Sequence, residues 1–155
     1  MFSSSSQEVE ILLPLLVSLG PILATIVIHA IALLAVINIV RYEYVRGRAG
    51  TRFSSDLAIV ITATQLALLA HLVEITIWAA VLELCGEFIS FAAAFYHSAM
   101  NYTSLGYGDV VMSASWKLLG PLEAANGMLM FGISTAMIFT IIQRLVQFRF
   151  GHRLE

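Results

Sequence analysis

The sequence predicts an all-α membrane protein in which three helices cross the bilayer and a shorter helix enters it and returns. Of the 155 residues, 59% are hydrophobic and only 12% are charged, whereas a soluble domain is about half apolar and about a quarter charged. Three apolar runs each exceed the ~20 residues that a helix needs to cross the hydrocarbon core. We therefore expect lipid around most of the chain.

The three predicted spans begin after a short polar N-terminus. They cover residues 11–40, 57–84 and 118–146. Residues 1–10 contain no basic residue, which argues against a cleaved signal peptide. Pro121 lies near the start of the third span, where its missing N–H would be unpaired in any helix.

Basic residues flank the predicted spans and indicate an orientation. They are Arg41, Arg46, Arg48 and Arg52 after the first span, and Arg144, Arg149 and Arg153 at the end of the third. Because Lys and Arg accumulate on the cytoplasmic side, we expect residues 1–10 to be extracellular. Residues 41–56 would form a basic cytoplasmic linker, and the C-terminus would be cytoplasmic. The linker arginines, Arg41, Arg46, Arg48 and Arg52, are candidate contacts for anionic lipid.

A shorter apolar and aromatic segment, residues 88–102, separates the second and third spans. It is too short to cross the bilayer and return as helix, so we expect a re-entrant half-helix. Non-helical backbone at that depth is tolerated only where protein or a water-filled cavity surrounds it. The segment that follows, 103–109, should therefore have such an environment.

That segment carries the strongest motif of the chain. It reads Thr103-Ser104-Leu105-Gly106-Tyr107-Gly108-Asp109. From about residue 88 to residue 143 the chain resembles the pore-loop potassium channels, whose selectivity filter reads Thr-Thr-Val-Gly-Tyr-Gly-Asp. Such a filter replaces the water shell of K⁺ by carbonyl oxygens, so successive carbonyls must point to one side. Left-handed backbone positions permit this, and glycine adopts them at low cost. Gly106 and Gly108 lie where two such positions are needed.

The resemblance implies a role for each part of the filter. K⁺ would be held by the carbonyls of Ser104, Leu105, Gly106 and Tyr107. The Ser104 hydroxyl would add the innermost ligand, Tyr107 would brace the filter from behind, and Asp109 would lie at the outer mouth. The C-terminal dipole of the half-helix would point toward a central cavity. Because one chain carries one filter and cannot surround an ion, a homotetramer is implied, with residues 57–155 as its pore domain.

Three features depart from the family pattern. Ser104 replaces threonine and Leu105 replaces valine, which would loosen the filter. Met100 stands where some relatives carry an acid behind the filter. The first span has no counterpart in family pores, which commonly have two or six crossings.

The third span resembles the pore-lining inner helix of these channels. The candidate cavity residues recur at helical spacing: Leu129, Gly132, Ala136 and Thr140. Gly127 and Gly132 are both candidates for a hinge. Close helix packing is the alternative, since small residues promote it in membranes.

Ionisable and polar residues inside the predicted spans need partners. Glu123 and Asn126 share one face of the third span and, with His97 of the half-helix, are expected to support the filter from behind. His71 and Glu74 lie three residues apart on one helix face. They form either a pair that locks helices together or a proton sensor, since histidine titrates near neutral pH.

These features together predict a potassium-selective channel for passive conduction in the plasma (inner) membrane, and by resemblance a prokaryotic one. We expect no enzymatic activity, no cofactor beyond K⁺ as permeant ion, and no nucleic-acid partner. Three alternatives remain open. They are a non-selective monovalent cation channel, a membrane redox protein with His29 and His71 as axial haem ligands, and a non-conducting partner subunit.

Overall fold

The computed structural model describes the backbone of residues 2–150 and the side chains of residues 11–150. The helices are α1 (Phe2–Val45), α2 (Phe53–Leu84), α3 (Phe91–Tyr102) and α4 (Leu119–Phe150). Within the described residues, three of them are long and apolar enough to cross a membrane: α1 from Ile11 onward, α2 and α4. The predicted fold class, an all-α membrane protein with three spans and one short helix, is confirmed.

Helices α1, α2 and α4 extend further than the sequence predicts, the last to Phe150, and α3 is shorter. Helix α1 continues to Val45 and α2 begins at Phe53, so only residues 46–52 of the expected linker lie between helices. Helix α1 also runs through Pro14 and Pro21, as prolines are tolerated in membrane helices whose neighbours replace the lost hydrogen bonds. Helix α3 begins three residues later than expected, because Ser90 caps it by accepting from Ala93 N at 3.3 Å.

The ends of α1 and α2 share one backbone motif. At each end a glycine with positive φ follows the helix: Gly47 (66°) after α1 and Gly86 (76°) after α2. The N–H of Gly47 donates to Tyr44 O (2.9 Å) and that of Gly86 to Glu83 O (2.9 Å), and the next residue in each case bonds one carbonyl further back. These two bonds define the Schellman cap, in which glycine is the usual left-handed residue.

The chain divides into two compact units. The first contains the chain up to Val27 together with Leu72–Met130, and the second contains Ile28–His71 together with the chain from Phe131 onward. The first unit is built around fully buried side chains of α2, α3 and α4, namely Trp78, Leu82, Ala94, Tyr102 and Leu119. In the second unit, the core consists of Val36 from α1, Ile59 and Ala63 from α2, and Ile141 and Leu145 from α4.

An ion pair in the second unit fixes the α1–α2 loop to the end of α4. Asp56 accepts from Arg149 Nη2 at 2.5 Å and from the N–H of Gly50 at 2.8 Å. Asp56 is 8% exposed, so both oxygens of a nearly buried carboxylate have donors. The sequence indicated Arg149 only as a marker of membrane orientation.

Candidate functional site

The segment predicted as a filter begins where α3 ends, and α3 ends in the same cap as α1 and α2. The N–H of Ser104 donates to Asn101 O (2.8 Å) and that of Leu105 to Met100 O (2.9 Å). Ser104 takes the left-handed position, with φ 58°, where the other two helices have glycine. A left-handed conformation costs an L-residue about 1–2 kcal/mol, so the surrounding bonds hold Ser104 in a strained backbone.

Three consecutive peptide units of this segment face the same way. The N–H groups of Ser104, Leu105 and Gly106 all donate to carbonyls of the last turn of α3, the third to Met100 O at 3.2 Å. The peptide bonds are trans, and in a trans peptide the C=O points opposite to the N–H. The carbonyls of Thr103, Ser104 and Leu105 therefore all point away from α3. An ordinary strand, whose peptides alternate in direction, would not produce this row.

The left-handed positions alternate along the segment. They are Ser104, Gly106 (53°) and Gly108 (73°). The sequence identified the two glycines but not Ser104, since serine rarely adopts this conformation. A Cβ built on either glycine meets nothing within 4 Å. The requirement for glycine at these positions therefore comes from the backbone conformation and not from lack of space.

The outer end of the segment is tied to the middle of α3. Tyr96 Oη donates to Asp109 Oδ2 at 2.9 Å, and this hydrogen bond raises the pKa of Tyr96. Asp109 thus lies at the end of the segment away from the α3 C-terminus. Tyr107, expected to brace the filter, is 71% exposed in the single chain, and its role stays a prediction.

Glu123 is fully buried and belongs to a hydrogen-bonded group behind the segment. Ser98 Oγ, on α3, contacts Glu123 Oε1 and also lies 3.0 Å from Ile75 O of α2. The other carboxylate oxygen of Glu123 has no hydrogen bond of ordinary geometry among the described residues. Ser98 was not anticipated from the sequence as a partner for Glu123.

Tyr102, the last residue of α3, joins three helices of the first unit. Its hydroxyl donates to Glu74 Oε2 of α2. Its carbonyl lies against Gly127 of α4, where an added Cβ would be 2.9 Å from the carbonyl carbon. Glu74, considered above as half of a proton sensor, therefore orients the residue that immediately precedes the filter segment.

His97, a residue of α3, is buried against the loop that follows the filter segment. Its Nε2 lies 2.8 Å from Asn101 Nδ2, its ring is 4.9 Å from that of Phe88, and the Val110 backbone hydrogen-bonds to it. Burial lowers its pKa. His97 also borders a cavity of about 390 Å³ between α3, the filter segment and the start of α4. The expected role of His97 behind the filter stays a prediction.

Asn126 forms hydrogen bonds to α1, and its expected role as a filter support stays a prediction. Its Nδ2 donates to Thr25 Oγ1 at 2.9 Å, and both side chains are buried. This polar contact joins the first span, which has no counterpart in family pores, to α4. It links residues 101 positions apart, a pairing that no local sequence pattern indicates.

In the second unit, His29 and His71 share a hydroxyl. Ser134 Oγ lies 3.0 Å from His29 Nε2 and 3.1 Å from His71 Nε2, and the ring of Phe131 stacks on His71 at 4.1 Å. Axial haem ligands would need the iron and its macrocycle between the two Nε2 atoms. Ser134 occupies that position, so this geometry does not favour the redox alternative. It ties α1 and α2 to α4 instead.

The predicted cavity residues form an exposed stripe on α4. Its members are Leu129, Gly132, Ala136 and Thr140, all of them exposed in the single chain. The Thr140 hydroxyl donates to Ala136 O at 2.8 Å. The Thr140 hydroxyl therefore already has a hydrogen-bond acceptor within its own helix.

Comparison with known families gives one match. Residues 70–144 match a family model described as "Ion channel". The matched segment runs from the middle of α2 through α3 and the filter segment to Arg144 of α4, and it includes residues 88–143, where the sequence resembles the pore-loop potassium channels. Comparison with curated proteins and with solved structures found no match.

Proposed function

We propose that this chain, whose residues 70–144 match the ion-channel family model, is one subunit of a potassium-selective channel in which four copies surround a single ion path. The family match and the three apolar spans support an integral membrane protein with an ion-channel segment. Selectivity for K⁺ and the fourfold assembly are the steps that we add.

The observation that carries the proposal is the common direction of the Thr103, Ser104 and Leu105 carbonyls. A dehydrated K⁺ needs several oxygen dipoles at once, and one chain offers a single row of them. Four copies around an axis would place four rows around the ion. The exposed stripe on α4 would then face the water-filled path below the filter, and Asp109 would lie at its outer end.

The direct test is ion flux into liposomes that contain only this protein. We expect Rb⁺ and K⁺ to enter far faster than Na⁺, and Ba²⁺, a divalent ion of similar size to K⁺, to block the flux. Protein-free liposomes serve as the control. An absence of any cation flux from correctly assembled protein would contradict the proposal.

The strained Ser104 favours a second candidate, a non-selective monovalent cation channel of the same architecture. If the cap around Ser104 relaxes, the carbonyl row loses its fixed spacing at the inner end, and discrimination between Na⁺ and K⁺ falls with it. Equal Na⁺ and K⁺ permeability in the liposome assay would select this candidate and retain the pore.

Assembly and orientation have their own test. Crosslinking of purified protein should stop at tetramers. In a Cys85→Ala background, Val111→Cys should react with a membrane-impermeant reagent added outside cells, whereas Arg48→Cys should not. A dimer, or the reverse labelling pattern, would contradict the proposed arrangement.

A further inference from the structure

A groove in the second unit, between α1 and α4, combines an apolar lining with two arginines. Its volume is about 810 Å³. Apolar side chains that line it include Leu33 and Ile37 from α1 and Ile133 and Met137 from α4. Arg41 and Arg144 line the same groove. We call this feature the α1–α4 groove.

The two arginines lie near the same end of the α1–α4 groove. Arg41 is in the last two turns of α1, and Arg144 is in the last two turns of α4. The ends of these helices meet, because the rings of Tyr44 and Phe148 lie 4.8 Å apart. From Leu33 to Tyr44 the groove follows eleven residues of helix, roughly 16 Å at 1.5 Å per residue. That is about half of the ~30 Å hydrocarbon core, the depth of one leaflet.

The carboxylates of this unit that the structure describes, Glu43 and Asp56, already have partners. Glu43 lies 3.7 Å from Arg48, and Asp56 is held by Arg149 and the Gly50 N–H. Among the described residues of this unit, neither acidic side chain pairs with Arg41 or Arg144. An anion from another source is therefore the better match for the two guanidinium groups, which bind phosphate oxygens in a bidentate manner.

We propose that the α1–α4 groove binds one anionic phospholipid per subunit. One acyl chain lies along the apolar wall between α1 and α4, and the phosphate lies between Arg41 and Arg144. This site is independent of potassium selectivity.

The linker arginines expected from the sequence to bind lipid have different surroundings. Arg46 lies over the Tyr42 ring at 4.1 Å, and Arg48 is near Glu43. Arg52 is exposed on the loop. Of those four arginines Arg41 alone lines the α1–α4 groove, and its companion there, Arg144, belongs to α4.

The site has a consequence for the ion path. Ala136 and Thr140, members of the exposed stripe, also line the α1–α4 groove. A lipid in the groove would therefore contact the wall of the predicted cavity and hold α1 and α4 at a fixed separation. We expect the open probability of the channel to depend on anionic lipid.

The test is native mass spectrometry of detergent-purified tetramer titrated with phosphatidylglycerol or phosphatidylcholine. We expect preferential retention of phosphatidylglycerol, up to one per subunit. Arg41→Gln and Arg144→Gln should each weaken binding about fivefold, the contribution expected of one basic residue near an anionic surface. Arg52→Gln, an exposed arginine outside the groove, is the matched control and should leave binding unchanged. Ile37→Trp should weaken it by filling the groove while both arginines remain.

Three outcomes would overturn the proposal. An equal loss with Arg52→Gln would indicate diffuse surface charge. Full competition by glycerol phosphate, which has no acyl chain, would indicate an anion site without a lipid groove. Unchanged lipid retention in both arginine variants, with loss of the tetramer in Ile37→Trp, would show that a neighbouring copy covers the groove. If lipid binds as expected but no K⁺ flux occurs, the lipid site stands and the proposed function fails.

Discussion

The carbonyl of Tyr102 lies against the Cα of Gly127, so closely that a Cβ on Gly127 would be 2.9 Å from the Tyr102 carbonyl carbon. At Gly132, the other glycine considered as a hinge, a Cβ meets nothing within 4 Å. The two glycines therefore differ in the space around them. Gly127 permits α4 to pack on the residue that precedes the filter segment, and Gly132 is the better hinge candidate.

Gly127→Ala should disrupt the filter from behind. The added methyl group meets backbone, which cannot move away like a flexible side chain, and overpacking of this kind costs about 1–3 kcal/mol per site. We expect a lower melting temperature of the tetramer and loss of K⁺ flux. Gly132→Ala is the matched control and should keep the tetramer intact, because its methyl group enters open space. Equal thermal stability of the two variants would contradict the packing role of Gly127.

Ser104→Gly should stabilise the cap at the end of α3. Glycine removes the left-handed strain of about 1–2 kcal/mol and preserves the two backbone hydrogen bonds of the cap. The converse exchange, Gly86→Ser at the equivalent position after α2, should destabilise the protein by a similar amount. Guanidinium or thermal unfolding of the two variants measures both effects. We expect Ser104→Gly to raise the free energy of unfolding and Gly86→Ser to lower it. A change in the same direction for both variants would mean that Ser104 is not strained.

Gly106→Ala should abolish conduction but not assembly. Alanine at φ 53° costs about 1–2 kcal/mol per subunit, repeated four times around the proposed ion path. The added Cβ has free space, so helix packing is not disturbed and the tetramer should persist in crosslinking. Gly20→Ala, in α1, also has free space but a helical backbone, and it should conduct normally. Normal K⁺ flux in Gly106→Ala would refute the filter assignment.

Features that depend on neighbouring residues could be predicted from the sequence, whereas contacts between residues far apart in the sequence could not. The spans, the short helix and the glycines of the filter follow from apolar length and from the conformational freedom of glycine, both of which are local. Ser104 was missed because its strain is imposed by the cap of α3. The pairs Thr25–Asn126 and Asp56–Arg149 join residues about a hundred positions apart, and only the folded chain specifies them.

Glu123→Gln should be tolerated, whereas Glu123→Ala should not. Glutamine keeps the shape and an oxygen that accepts from Ser98, while alanine removes the partner and leaves a cavity. Loss of a buried partner costs about 1–3 kcal/mol, so we expect a less stable tetramer and impaired flux for the alanine variant. Ser98→Ala should cost less when combined with Glu123→Ala than alone, as a double-mutant cycle would reveal.

Labelling of introduced cysteines decides whether Glu123 faces the ion path. Glu123 is fully buried behind the filter segment, so Glu123→Cys should resist a bulky thiol reagent applied from the cytoplasmic side. Ala136→Cys, on the exposed stripe, should react. Rapid modification of Glu123→Cys with block of current would overturn its role as a support.

His97 should make the filter sensitive to acid. An amide NH₂ only donates, so His97 Nε2 accepts from Asn101, and this requires the neutral imidazole. Burial lowers the pKa of His97 in the folded protein, although Asp109 and Glu87 nearby oppose the shift. The folded state therefore resists protonation more than the unfolded state does. His97 makes its full contribution to the stability of the folded state above the ordinary histidine pKa of about 6.5. This contribution is lost as the pH falls from there toward the lower pKa of His97 in the folded protein.

We thus expect the thermal stability of the tetramer, and K⁺ flux with acid on the filter side, to decrease between about pH 7 and about pH 5. Protonation would turn Nε2 into a donor facing the Asn101 amide, and the amide would have to rotate away. His97→Gln retains an acceptor for Asn101 but does not titrate in this range, so its stability and flux should be nearly constant over the same interval. An acid response of His97→Gln equal to that of the unmodified protein would assign the sensitivity to another group.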